Sequence, residues 1–274
     1  MTVNFKPCTR HTVRASLIAV PYTGSTGNSL VRTVGTVRGR HTKVGHPVEV
    51  TFPTGPVPVP DVVDALAAGR PVAPVWVNEL GGVTFAIGTG DEYVKTYPAD
   101  HAPLLTDEAV RLRWAGQYIA VPPVLGEGAG WLHTAGLPGY SAVDPRWADD
   151  PETAAHAIGA GLRAMHDALP VEDCRFGRPS WVPADPAGPD PDRLVVCHGD
   201  ACAPNTLMSA DGAFIGHVDV GDLGVADRWA DLAIATMSLD WSYPGNYEAA
   251  LLDAYGVARD EARIDYYRAL WDAG

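Results

Sequence analysis

The sequence predicts an α+β fold in two lobes: a small lobe of antiparallel sheet plus a helix, then a larger, mainly helical lobe. Three patterns carry this expectation. Between Val72 and Tyr97, three short apolar runs are separated by Gly-rich turns, the signature of consecutive strands. From Pro151 to Leu169, apolar residues recur at Ala155, Ile158, Leu162, Met165 and Leu169, the stripe of a core-facing helix. Beyond Ala226 the pattern is helical nearly to the end of the chain. The 274 residues are enough for both lobes, and 46% hydrophobic with 19% charged residues places the chain among globular rather than disordered proteins.

Residues 1–55 stand apart. They carry seven Lys and Arg against a single acid, Glu49, and show no helical periodicity. Val31–Val37 and Val48–Phe52 could form short strands, but the segment has no place in a core and reads as a basic N-terminal extension, disordered or loosely attached. The small lobe is expected over residues 56–136. Pro60-Asp61 opens a short helix that closes at Gly69. Val72–Val77, Val83–Ile87 and Tyr93–Tyr97 read as strands, joined by Asn78-Glu79-Leu80-Gly81-Gly82 and by a hairpin turn at Gly88-Thr89-Gly90-Asp91. Thr106-Asp107 would start a helix with Glu108 in its first turn. Val124–Leu125 and Gly130–Ala135 add further strands, and Leu137-Pro138-Gly139 leads into the large lobe, residues 137–274. There the helix from Pro151, with proline in its first turn, precedes a Pro-rich surface connection from Arg178 to Asp192. Leu194–Cys197 is an apolar strand. Helices follow over Ala226–Leu239, Tyr247–Tyr255 and Asp260–Trp271.

The net charge of −13, with +6 on residues 1–55, leaves −19 on the rest. A strongly acidic body argues against nucleic acid as the main partner and suits a cationic small molecule; acidic surfaces also serve solubility. The four cysteines (Cys8, Cys174, Cys197, Cys202) form no CxxC pair and no metal-ligand spacing, so free thiols and a cytoplasmic location are expected. No apolar run approaches the roughly 20 residues of a membrane helix, and Leu17–Tyr22 is too short for a signal-peptide core, so no membrane association is expected. The composition is compatible with a monomer or a dimer.

The chemistry concentrates between Leu194 and Ala233. Apolar residues lead to His198-Gly199-Asp200, a tight turn that would put Asp200 at the mouth of a cleft, with the His198 side chain bonding to backbone. A carboxylate there can orient a hydroxyl and take its proton late in phosphoryl transfer. Five residues on, Asn205 offers a neutral amide oxygen, and Asp219, in a second apolar run expected beside the first, offers a charged one; both are hard ligands for magnesium. Alone, His-Gly-Asp fits a structural turn equally well, and Asp219 an ordinary strand-end acid; the three residues in this order and spacing point to a metal-phosphate site. Lys95 on the third strand, with Glu108 thirteen residues later, makes a pair able to pin an ammonium over the nucleotide phosphates. Asp227 and Asp231 fall four residues apart on an expected helix, Asp231 as a buried structural acceptor.

These residues closely resemble the aminoglycoside phosphotransferases, nearest to their 3′-phosphotransferase (kanamycin kinase-like) branch. The likeness rests on Cys197-His198-Gly199-Asp200 with Asn205, on Val218-Asp219-Val220-Gly221, and on the run from Leu223 to Ala233. Asp107–Ala115, Leu162–His166, Leu169–Phe176 and Tyr266–Asp272 also look like that branch, so the match spans roughly Val72 to Gly274. The resemblance implies a two-lobed protein-kinase-like fold. It implies ATP or GTP with Mg2+ and transfer of the γ-phosphoryl group to a hydroxyl of an aminoglycoside antibiotic, 3′-type. It makes Asp200 the catalytic base, Asn205 and Asp219 metal ligands, and Lys95 and Glu108 the nucleotide-positioning pair. Thr134, Ala135 and Leu137 would form the hinge that holds the base. Asp173, Asp272 and the terminal Gly274 would face the cationic acceptor, with Asp222 and Asp227 beside it.

This chain departs from the pattern at Asp222, where relatives commonly carry Arg, and in its short Pro-rich segment before the Leu194 strand. Reversing a charge beside the acceptor should change which substrate fits. A kinase for a sugar, amino sugar or other small alcohol on the same scaffold is the alternative reading, and a non-catalytic binding protein a third.

Overall fold

The computed structural model describes residues 56–78, 80–184 and 188–273. The basic segment 1–55 and Gly274 lie outside the described residues.

Helix α1 (Asp61–Ala67) follows Pro60 and ends at Ala68 and Gly69, both left-handed, as the closing glycine foretold. Strands β1 (Val72–Val77), β2 (Val83–Ile87) and β3 (Glu92–Thr96) form an antiparallel meander. β4 (Val124–Gly128) and β5 (Trp131–Ala135) complete a five-stranded sheet in the order β1-β2-β3-β5-β4. The alternation of strand side chains divides the faces. Val94, with Phe85 and Ile87, packs against Val63 and Ala67 of α1. Its neighbour Lys95 points the other way, to helix α2 (Ala102–Ala115).

Helix α2 begins four residues before the expected Thr106, because the turn at Ala99–His101 runs directly into it with Pro103 accommodated in its first turn. Glu108 therefore sits in the second turn, not the first. Leu105, Ala109, Leu112 and Ala115 share one apolar cluster with Leu132 of the sheet and with Met165, Leu169, Val196, Val220 and Leu223 of the large lobe. α2 is thus packed against both lobes.

In the large lobe, β6 (Tyr140–Ser141) pairs with β8 (Thr206–Met208), which pairs with β9 (Phe214–His217). Helix α3 (Pro151–Ala168) starts as expected on Pro151, with the Asp150 carboxylate accepting from Thr153 N at 3.3 Å. β7 (Leu194–Cys197) pairs with β10 (Gly224–Asp227), and α4 (Trp229–Ser242), α5 (Glu248–Tyr255) and α6 (Glu261–Ala273) close the fold. α3 lies close on α5: a Cβ on Gly159 would meet the Leu251 carbonyl at 2.1 Å. The main core gathers Ile158, Leu162, Trp229, Leu232, Leu251 and Tyr255, all 3% exposed or less.

Two expectations need correction. Asp227 is not helical: Ala226 and Asp227 pair with Val195 and Leu194, and α4 starts only at Trp229. Asp219 does not lie on a strand neighbouring β7, because β9 pairs with β8, while β10 takes the place beside β7. Among the described residues, no helix is long and apolar enough to cross a membrane.

Candidate functional site: a carboxylate, amide and lysine cleft

β7 is buried along Val195–Cys197 and delivers the chain to Gly199, which at φ 84 turns sharply. A side chain there is excluded on two counts. The left-handed backbone favours glycine, and a Cβ would lie 2.1 Å from the Asp222 carbonyl. The turn is held from below by Asp231 of α4. Its carboxylate is 1% exposed and accepts from His198 N at 2.6 Å and Gly199 N at 3.0 Å. His166 of α3 bonds the same carboxylate at 2.9 Å and reaches Tyr255 Oη through its other ring nitrogen. Burial raises the cost of the Asp231 charge, but His166 and His198 together more than offset it and hold the carboxyl below its usual range. The structural role expected for Asp231 is what the geometry shows.

His198 bonds backbone, as expected. Its Nε2 donates to the Val218 carbonyl at 3.0 Å and its Nδ1 accepts from Asp200 N at 3.3 Å. That pattern fixes a neutral ring, and burial lowers its pKa accordingly.

Asp200 is 6% exposed, and its Oδ1 has no partner. Burial first, and repulsion from Asp219 second, push its carboxyl up to about 7. Asn205, in the turn Ala203–Asn205, donates its amide nitrogen to the Asp200 carbonyl at 3.0 Å, which leaves its oxygen as a ligand atom. Asp219 sits two residues past β9 at φ 61, a left-handed conformation that is costly for a non-glycine residue and concentrates at functional sites. Lys95 spans the cleft, with Nζ 2.6 Å from Glu108 Oε1 and 2.8 Å from Asp219 Oδ1. Burial opposes the lysine charge, but Asp219 and Glu108 outweigh it and raise its pKa. Asp219 is held low because Lys95 overcomes the same burial cost, whereas burial wins at Glu108 and raises it. The expected lysine–glutamate pair is formed and extends to Asp219.

The donor set fits magnesium: an amide oxygen on Asn205 and the half-exposed Asp219 carboxylate, both hard oxygens, with the unpartnered buried oxygen of Asp200 left for a proton. Thr134 and Ala135 lie on β5, where Ala135 N donates to the Pro123 carbonyl. Leu137, in the link that follows, lines a cavity of about 400 Å³ with Thr89, Tyr93, Tyr140 and Ile215.

The expected acceptor residues are less united. Asp173 is exposed in the turn after α3, and Asp272 is exposed at the end of α6. Asp227 is buried, and its oxygens accept from Asp192 N, Arg193 N and Trp229 N. Asp222 accepts from Ser180 N at 2.9 Å through both oxygens, and from Ser180 Oγ. Burial pushes its carboxyl up to about 6.

Three contributors were not legible. Arg111 Nε donates to the Leu223 carbonyl at 3.1 Å, tying α2 to the segment after Asp219. Tyr97 Oη accepts from Asn78 Nδ2 at 2.6 Å beneath the β1–β2 turn. Trp181 Nε1 donates to the Gly199 carbonyl at 2.7 Å. For Trp181 the signal was a lone aromatic side chain in an otherwise polar, Pro-rich loop.

A family model described as the phosphotransferase enzyme family matches residues 180–267. The chain is 30% identical over 242 residues to the streptomycin 3″-kinase of Streptomyces griseus, covering 70% of this chain and 88% of that one. It is 32% identical over 219 residues to the aminoglycoside 3′-phosphotransferase of Streptomyces fradiae, covering 63% and 81%. Among solved structures, the aminoglycoside phosphotransferase APH(3″)-Id from Streptomyces rimosus superposes with a TM-score of 0.59 at 27% identity, over 76% of this chain and 93% of that one. The same enzyme has been solved with ADP and streptomycin, matching here at a TM-score of 0.58 and 26% identity over 77% and 98%. On the cleft, the two-lobed fold and these relatives together, the chain belongs to the aminoglycoside phosphotransferase family and is a kinase acting on a hydroxyl.

Proposed function

We propose that the chain transfers the γ-phosphoryl group of ATP to a hydroxyl of a cationic aminoglycoside. The observation that carries this reading is the unpartnered, buried Asp200 oxygen near Asp219, which Lys95 joins to Glu108. Lys95, pinned from two sides, would meet the α- and β-phosphates. The acceptor hydroxyl would lie against Asp200 Oδ1. As its oxygen bonds to the γ-phosphorus, the bond from phosphorus to the bridging oxygen breaks, ADP leaves, and the hydroxyl proton passes to Asp200. A carboxyl near pH 7 is matched to that proton transfer. Magnesium, held by Asn205 and Asp219, would supply neutralisation of the charge that develops on the phosphate oxygens. The acidic body of the chain suits a polyamine sugar. Asp173 and Asp272 remain the candidate acceptor contacts.

The first reading of the position phosphorylated is the 3′ hydroxyl, as in the Streptomyces fradiae relative. A second reading, the 3″ hydroxyl of streptomycin, is favoured by the Streptomyces griseus relative and by the APH(3″)-Id structure. The test is a product analysis. Kanamycin, neomycin, their 3′-deoxy analogues, streptomycin, and a set of simple sugars and alcohols are each incubated with MgATP, and the product is mapped by phosphorus NMR. Phosphate on the 3′ oxygen supports the first reading. Turnover of streptomycin alone supports the second. Turnover only of simple sugars or alcohols overturns both.

A further inference from the structure

Asp222 and the Pro-rich loop are joined in the structure. The turn at Pro179–Val182 is capped by Asp222, which takes the Ser180 N–H and hydroxyl. The next residue, Trp181, is 8% exposed and turns inward. Its indole N–H donates to the Gly199 carbonyl at 2.7 Å, a buried bond. Its ring stands edge-on to Trp271 at 5.0 Å and to Tyr267 at 6.3 Å, both on α6. The Gly199 carbonyl belongs to the same peptide unit as the Asp200 N–H, and that N–H is held by His198 Nδ1. The preceding amides are held by Asp231. Among the described residues, the hydrogen bonds on the 199–200 peptide unit are the one its N–H makes to His198 and the one its carbonyl takes from Trp181, and the Asp222 backbone packs against Gly199.

We infer that Trp181 is a positioning residue for Asp200: a clamp, capped by Asp222 and backed by α6, that sets the plane of the 199–200 peptide and with it the aim of the carboxylate. The inference rests on the phosphotransferase reading of Asp200. It gives Asp222 a different task from acceptor binding, since its oxygens hold the clamp. It also links α6 to the catalytic turn through one aromatic stack. Cys202 and Asn205 bond the Asp200 carboxylate, but its Oδ1 has no partner, so a tilt of the 199–200 peptide would change where Oδ1 aims and fall on the transfer step rather than on nucleotide affinity.

The test is Trp181→Phe, which keeps the aromatic packing and removes the N–H. The clamp predicts a fall of about ten-fold in kcat, with KM for ATP unchanged within about two-fold. It also predicts a Tm loss of no more than about 4 °C, the size of one net hydrogen bond in a chain this long. Amide exchange at Asp200, read by NMR, should accelerate. Asp222→Ala should lower kcat in the same direction and Asp222→Asn should restore most of it. Unchanged kcat and unchanged exchange in a folded Trp181→Phe protein overturn the inference, as does an Asp222→Ala protein whose defect is a raised KM for the aminoglycoside at full kcat. If Trp181→Phe does not fold, the Asp222 pair decides. If the wild type phosphorylates nothing, the functional reading fails separately, and exchange at Asp200 alone decides the clamp.

Discussion

Replacing Asp200 by Asn should make the nucleotide-free protein more stable while removing its activity. Asp200 is 6% exposed, its Oδ1 has no partner, and its carboxyl is pushed from 3.8 up to about 7 by burial and by Asp219. A folded-state pKa above the unfolded one means that the ionised form is the costly one. Between about pH 4 and about pH 7 the unfolded chain has released this proton and the folded protein has not. The cost therefore grows as pH rises through that window and is complete above it. At about 1.4 kcal/mol per pH unit, the ceiling is about 4 kcal/mol. The buried Asn amide lacks a full set of partners and takes back about 1–3 kcal/mol. Asp200→Asn should thus gain about 2 kcal/mol at pH 8, or about 5 °C in Tm, and fall below the wild type by about 1–3 kcal/mol at pH 4, where only the amide penalty is left. Turnover should fall by about 10²–10⁴. Urea and thermal unfolding followed by circular dichroism in magnesium-free buffer measure the gain. A variant less stable than the wild type at pH 8, or a difference independent of pH, refutes the reasoning.

Three further outcomes follow from the same geometry. Asp231→Asn leaves either the Gly199 amide, or the His198 amide together with His166, facing an NH2 group and removes the charge; it should cost about 3–5 kcal/mol, read as a fall of about 10 °C or more in Tm. Lys95→Met strips Glu108 and Asp219 of their counter-charge, so it should cut kcat/KM for ATP by about 10²–10³ and also lower stability, as steady-state kinetics and unfolding would show. Glu92 is held down to about 2, first by its bond to Arg70 and then by His133, despite partial burial. Its contribution is present above the unfolded value of 4.5 and is lost as pH falls through about 2. Because Arg70 is 40% exposed, we expect Glu92→Gln to cost only about 1 kcal/mol at pH 7, with the gap from the wild type closing between about pH 5 and pH 2 in urea titrations.

Local signals were enough for much of this fold. The Gly-rich turns marked the β1–β2–β3 meander because each break needs a backbone that glycine supplies, and Lys95 and Glu108 could be paired from their strand and helix context together with their spacing. The amphipathic stripe marked α3 because one face meets a core. Where pairing is long-range the sequence was silent. The Gly224–Asp227 strand is too short and mixed to show a period of two, and only its pairing with β7 makes it a strand. That hid the burial of Asp227. The Trp181 bond to Gly199 spans a loop that composition marks as surface, since prolines report backbone stiffness and not what one indole reaches.

The central claim is that Asp200, Asn205, Asp219 and Lys95 transfer phosphate from ATP to an aminoglycoside hydroxyl. Its most direct test is mass spectrometry of one aminoglycoside panel incubated with MgATP and either the wild type or Asp200→Asn. The wild type should give a singly phosphorylated antibiotic and stoichiometric ADP, and the variant neither. An antibiotic panel left unmodified by folded, nucleotide-binding wild type, or phosphorylated equally by Asp200→Asn, would contradict it.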